Sequence, residues 1–253
     1  MGEMIEMGTA SSAVHSYVSR PEGTVRGGVI VIHEAWGLVG QIRSVADRFA
    51  AQGYLAVAPD LLGENGITDD VATELGEQLF NPDPRQRHEA QPKLRALMSP
   101  FRSPDFSAQA SARVESCFEY LESSPGVNGQ IGVVGFCMGG TFALSLAVQE
   151  PRLKACVSFY GRADYSVAEL AAINCPVLAF YGDQDTDLVE TLPDLGAAMT
   201  EAGIDFTADV YPGTGHAFFN DTNRFAYDKD AADDAWARTL EFLTQSLSQD
   251  RQA

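Results

Sequence analysis

Cys137, Asp185 and His216 have the residue types and settings that nucleophilic catalysis needs. Cys137 lies in Gly135-Phe136-Cys137-Met138-Gly139-Gly140, after the apolar, β-branched run 131–134 and before an apolar helical stretch, 141–148. This is a Gly-x-nucleophile-x-Gly pattern, the mark of a nucleophile carried on a tight strand-to-helix turn. Such a turn crowds the positions two residues before and after the nucleophile, and Gly135 and Gly139 leave them free of side chain. A helix starting just past Cys137 turns its unpaired N–H groups and positive dipole end toward the sulfur, favouring a thiolate and an oxyanion. A buried cysteine in an ordinary glycine-rich turn is the plainer alternative.

A nucleophile of this kind needs a base, and the base needs an orienting acid. His216 follows the turn 212–215 and precedes Ala217-Phe218-Phe219, so a loop would present its ring to the thiol. Asp183, Asp185 and Asp187 compete for the acid. The spacing Gly182-x-x-Asp185 just past an apolar run favours Asp185, while its neighbours suit the capping of a following helix.

The elements that must hold these residues alternate. Apolar runs at 28–32, 54–58, 131–134, 153–160 and 177–181 read as strands buried on both faces, and 206–211 as the last strand. Residues 13–19 alternate as an edge strand would. Helical periodicity marks 41–51, with Ile42, Val45, Ala46 and Phe49 on one face, then 107–122 and a final helix carrying Trp236, Leu240, Leu243 and Leu247. Segment 61–103 is less regular, with two short amphipathic patterns around Asn81-Pro82-Asp83-Pro84. The expected fold class is α/β: a mostly parallel central sheet with helices on both faces, in one domain spanning 1–253. Such a sheet gathers its site at the carboxyl ends of its strands, where Glu34, Cys137, Arg162, Asp185 and His216 all fall.

Composition narrows the classes further. The 253 residues carry a formal net charge of −18 with three lysines, a balance that opposes binding to nucleic acid or an anionic membrane. Cys117, Cys137, Cys156 and Cys175 have no CxxC or Cys/His spacing suited to a metal or a disulfide framework, so no metal is expected. No phosphate loop or dinucleotide fingerprint is present, and no cofactor is expected. There is no run of about 18 apolar residues. The N-terminus lacks a basic segment followed by an apolar one. The expectation is a cytoplasmic protein, a monomer or small homo-oligomer, whose partner is a small molecule.

The order Cys137, Asp185, His216, each after its own strand, is that of the α/β-hydrolases. The chain resembles the dienelactone hydrolase (carboxymethylenebutenolidase) family of that superfamily. The matching segments are His33-Glu34-Ala35-Trp36-Gly37, Ala58-Pro59-Asp60, Gly135-Phe136-Cys137-Met138-Gly139-Gly140, Phe159-Tyr160-Gly161, Gly182-x-x-Asp185 and Gly213-Thr214-Gly215-His216-Ala217-Phe218. The resemblance implies the α/β-hydrolase fold and hydrolysis of a lactone or carboxylic ester. Cys137 would attack the carbonyl, with His216 moving the proton and Asp185 orienting the ring. Backbone N–H groups of Ala35 and Met138 would hold the oxyanion, and Glu34 would be a switch carboxylate against the resting thiol. Trp36, Tyr160 and Phe218 would help bind substrate.

One departure from the family stands out. Members acting on dienelactone hold its carboxylate with arginines, one of them four residues after the catalytic histidine, and here that position is Asn220. Arg162, Arg85 or Arg87 would have to substitute. Two readings of other classes compete with hydrolysis. One is a non-catalytic ligand-binding homologue, which predicts a missing triad member. The other is a thiol redox sensor, which needs Cys117, Cys156 or Cys175 close to Cys137.

Overall fold

A computed structural model describes residues 2–9, 12–63, 67–99 and 103–248. The chain opens with Glu3–Met7 (β1) and Val14–Ser19 (β2), paired antiparallel. Gly27–Ile32 (β3), Gly40–Ala51 (α1) and Tyr54–Pro59 (β4) follow. Asp69–Leu79 (α2), Pro84–Met98 (α3) and Pro104–Ser123 (α4) lead into Ile131–Phe136 (β5) and Met138–Gln149 (α5). The second half comprises Ala155–Phe159 (β6), Val167–Leu170 (α6), Val177–Gly182 (β7), Thr186–Val189 (α7), Leu192–Glu201 (α8), Phe206–Tyr211 (β8) and Lys229–Ser246 (α9).

The eight strands form one sheet in the order β1-β2-β4-β3-β5-β6-β7-β8, antiparallel at β1/β2 and β2/β4 and parallel at every other pairing. β3 to β7 are buried at every position, as their continuous apolar runs require. Because successive side chains point to opposite faces, each strand feeds two cores. Ile30, Ile32, Val57 and Val133 join α4, α5 and α8 on one face. Val29, Val31, Ala56 and Val134 join α1 and α9 on the other. Full burial of each such side chain contributes roughly 1.5–3 kcal/mol. This is the α/β-hydrolase architecture.

Residues 14–19 are not the edge strand that their alternation suggested. β1 lies outside them, with Ile5 and Met7 turned inward and Met4 50% exposed. An outward methionine among inward apolar residues hides the period of two, so this short strand is hard to see in the sequence. The two amphipathic patterns expected around residues 81–84 are α2 and α3, which flank the Asn81–Asp83 turn. Among the described residues no helix is long and apolar enough to cross a membrane.

The chain runs from β3 to β4 on one side and returns to β5 on the other. The strand order therefore reverses between β3 and β5, where an open α/β sheet leaves a crevice at its carboxyl edge. Glu34 follows β3 and Cys137 follows β5.

Candidate active site

Cys137 occupies the turn between β5 and α5 with φ 54° and ψ −116°, outside the regions that L-residues ordinarily adopt. Such backbone is strained by roughly 1–3 kcal/mol and persists only where its surroundings enforce it. The two glycines make it possible. A Cβ on Gly135 would lie 2.0 Å from the Gly139 carbonyl oxygen, and one on Gly139 would lie 2.3 Å from that of Ile32. β5, the start of α5 and the end of β3 are thus in backbone contact. The first N–H groups of α5, beginning with Met138, have no acceptor within the helix.

His216 and Asp185 come from the loops after β8 and β7, which are tied together. Asp183 N–H donates to the Tyr211 carbonyl at 3.0 Å and Gln184 N–H to the Thr214 carbonyl at 2.9 Å. The Asp183 carboxylate accepts the Gly213 N–H at 2.9 Å. Asp185 stands at the N-cap of α7 without using its side chain there. Its Oδ2 lies instead 2.5 Å from His216 Nδ1. The His216 ring packs on that of Tyr160 with centroids 4.9 Å apart and lies near enough to Cys137 to feel a charge there. Burial alone would lower the His216 pKa. The negative charge available at Cys137 and the bond to Asp185 outweigh it and raise the imidazole well above the usual histidine range.

Glu34 is buried, 4% exposed. Its Oε1 accepts from the Tyr160 hydroxyl at 2.9 Å and its Oε2 from Asn220 Nδ2 at 2.8 Å. The Asn220 amide cannot turn over, since its Oδ1 accepts the Thr222 N–H and hydroxyl at 3.1 and 2.7 Å. Burial pushes the Glu34 carboxyl above its ordinary range, against the hydrogen bond from Asn220 and the nearby His216, which favour the charged form. Burial and the adjacent Glu34 push Tyr160 well up, so it remains a donor.

His33, fully buried, ties this corner together. Its Nε2 accepts the Leu61 N–H at 3.0 Å, so the ring proton must sit on Nδ1, which donates to the Glu34 carbonyl at 2.6 Å. Burial keeps the ring neutral by lowering its pKa.

Cys137, His216, Glu34 and Ala35 open onto one cavity of about 170 Å³. Trp36 and Ala217 line its sides, and Leu79, Phe80 and Leu94 from the ends of α2 and α3 close over it. Cys137, Tyr160 and Ala217, all at this site, account for three of the four non-glycine residues with positive φ among the described residues. The other candidates lie elsewhere. Phe218 is a core residue, packed on Tyr160 and Tyr211 with centroids 5.6 and 5.2 Å away. Arg85 and Arg162 are exposed and off the cavity wall. Arg87 donates to the carbonyls of Asn81 and Pro82 at 2.6 and 2.9 Å, closing the α2–α3 turn. Cys117, Cys156 and Cys175 are buried free thiols. Burial raises Cys117 and Cys175 to about 12 and Cys156 well up, so none is a ready exchange partner for Cys137. Among the described residues no cluster of three or more His, Cys, Asp or Glu side chains could hold a metal ion.

His33, Leu79, Phe80 and Leu94 were not among the candidates read from the sequence. Leu79-Phe80, ending an amphipathic run just before Asn-Pro-Asp-Pro, was the available signal for the cavity's cover. His33 carried none beyond its place in the His33-Glu34 segment.

The model of the dienelactone hydrolase family matches residues 14–247. A Saccharolobus solfataricus protein provisionally named carboxymethylenebutenolidase is 34% identical over 248 residues, covering 91% of this chain and 93% of its own. A crystal structure from Klebsiella pneumoniae, provisionally named dienelactone hydrolase, superposes with a TM-score of 0.79 at 26% identity, covering 97% of this chain and 98% of its own. A Thermogutta terrifontis esterase shares the fold, with a TM-score of 0.65 at 17% identity over 100% of this chain and 95% of its own.

Proposed function

Since the chain belongs to the dienelactone hydrolase family, we propose that it hydrolyses a carboxylic ester or lactone through a Cys137-His216-Asp185 triad. The observation that carries this reading is the 2.5 Å contact between Asp185 Oδ2 and His216 Nδ1, with His216 and Cys137 on the wall of one cavity. Asp185 accepts the hydrogen bond of the Nδ1 proton, which leaves Nε2 to serve the sulfur.

The Cys137 proton passes to His216 Nε2, the thiolate Sγ attacks the carbonyl carbon, and the carbonyl π electrons move to oxygen. The backbone N–H groups of Ala35 and Met138 receive that oxyanion. Donors of this kind are each worth roughly 2.7–4 kcal/mol in a well-studied hydrolase. The C–O bond then breaks, and the imidazolium of His216 gives its proton to the departing alkoxide. In a lactone that alkoxide stays tethered within the cavity. Neutral His216 next takes a proton from water, which attacks the thioester. Cys137 leaves as thiolate, paired again with the imidazolium, and the product is an acid plus an alcohol, or one hydroxy acid.

Glu34 lines the same cavity and is held there by Tyr160 and Asn220. A screen of p-nitrophenyl esters and unsaturated lactones, run beside the Cys137→Ala variant, tests the reading. Turnover that needs the thiol supports it, and turnover by folded Cys137→Ala at the wild-type rate rejects it.

A further inference from the structure

The cavity wall restricts what can reach Cys137. Trp36, Leu79, Phe80 and Leu94 present apolar surface, and among the described residues the polar side chains on the wall are Glu34, Cys137 and His216. All three of those belong to the proposed chemistry, and Glu34 is acidic. Among the described residues, the arginines suggested for pairing with an anion are directed elsewhere. Arg87 holds backbone carbonyls of the α2–α3 turn, and Arg85 and Arg162 lie exposed outside the wall. Asn220 Nδ2 is already committed to Glu34. An anionic substituent entering here would lose its water without gaining a cation, and an uncompensated buried charge is strongly disfavoured. The volume suits a small group as well. An engineered apolar cavity of about 150 Å³ takes benzene, so about 170 Å³ has room beside Cys137 for one five- or six-membered ring.

We propose that the substrate is an uncharged lactone or ester with a compact apolar ring or acyl group, selected by Leu79, Phe80 and Leu94 closing over Cys137. This rests on the hydrolase reading above, which it deepens by excluding carboxylated lactones as the preferred class. The two helices that cover the cavity are anchored by the small core of Trp36, Val39, Ala72 and Leu75, against which Leu79 and Leu94 pack. Trp36 is thus shared between the cover's own core and the substrate wall.

The test compares a five-membered unsaturated lactone, 5-methylidenefuran-2-one, with its analogue carrying a carboxylate on the exocyclic carbon. Each kcat/KM is divided by the hydroxide-catalysed rate of the same compound. Wild-type protein should favour the neutral lactone by about 100-fold, the scale of one uncompensated buried charge. Leu94→Arg should narrow that ratio by about tenfold or more, as a charge-assisted pair forms with the carboxylate. Equal or better turnover of the carboxylate by wild type overturns the inference, and this comparison needs no variant to fold. Binding of both lactones to Cys137→Ala, read by saturation-transfer NMR, separates the two levels. Binding of the neutral lactone alone keeps the inference even if turnover is never found, and preferential binding of the carboxylate overturns it.

Discussion

The His33 ring donates from Nδ1 to the Glu34 backbone carbonyl at 2.6 Å, while its Nε2 accepts from Leu61 N–H at 3.0 Å. In a trans peptide the C=O and N–H point in opposite directions. Pinning the Glu34 carbonyl, which also accepts the Gly37 N–H at 3.2 Å, therefore pins the Ala35 N–H, the proposed oxyanion donor. His33→Ala should reduce kcat by about ten- to a hundredfold, a fraction of the loss seen when such a donor is deleted. KM should change little, and affinity for an aldehyde that forms a tetrahedral adduct with the thiol should fall in parallel with kcat/KM. A folded variant whose kcat stays within threefold of wild type would remove His33 from this role.

Cys137→Ala should abolish ester and lactone hydrolysis, a loss on the order of 10⁶ where a triad nucleophile is removed in a related mechanism. The circular dichroism spectrum should be unchanged, since Ala keeps the Cβ and with it the backbone geometry of the turn. A folded variant that retains a tenth of wild-type activity would exclude Cys137 as nucleophile.

Of the three acidic candidates, only Asp185→Asn should cripple turnover, by up to about 10⁴. Asp183→Asn keeps an acceptor for the Gly213 N–H, so its effect should be small, and Asp187→Asn should be near neutral. The pH profile carries a second signature. The Asp185 carboxylate is one of the groups that raise His216, so its removal lowers the imidazole pKa. The alkaline limb of kcat/KM, where the imidazolium is lost, should move to lower pH in Asp185→Asn. A limb that stays in place, with Asp183→Asn the damaging change, would reassign the acid.

Glu34→Gln should raise thermal stability at pH 7–8 while reducing turnover. The sign follows from the raised carboxyl pKa: the folded state holds this proton more tightly than the unfolded state, so stability falls as pH rises above the ordinary glutamate value of about 4.3. Gln removes that penalty, and its amide can still accept from Asn220 and donate to the Tyr160 oxygen. The stabilisation should fade toward pH 4. Loss of the nearby carboxylate should also speed iodoacetamide labelling of Cys137, read by peptide mass spectrometry. A variant less stable at pH 8 than at pH 4 relative to wild type, with unchanged labelling, would leave Glu34 as a structural hydrogen-bond acceptor only.

Much of the fold was legible because its information is local. A strand buried on both faces must be apolar at nearly every position, so β3 to β7 announce themselves. The Cys137 turn is equally local, since Gly135 and Gly139 are required by backbone atoms a few residues away or on the neighbouring strand. Chain order and strand ends were enough to nominate Asp185 and His216. Spacing favoured Asp185 over Asp183, and the tertiary structure adds what spacing cannot, that Asp185 points across to His216 while Asp183 spends itself on Gly213. Likewise Asn220, Tyr160 and Glu34 come from three separate segments, and no spacing along the chain encodes their hydrogen bonds. The cavity's cover was decided last of all, because Leu79, Phe80 and Leu94 look in sequence like the apolar side of any amphipathic helix. Only the docking of α2 and α3 over the β3/β5 crevice turns that side toward the thiol, and docking depends on summed packing against Trp36 that no single position carries.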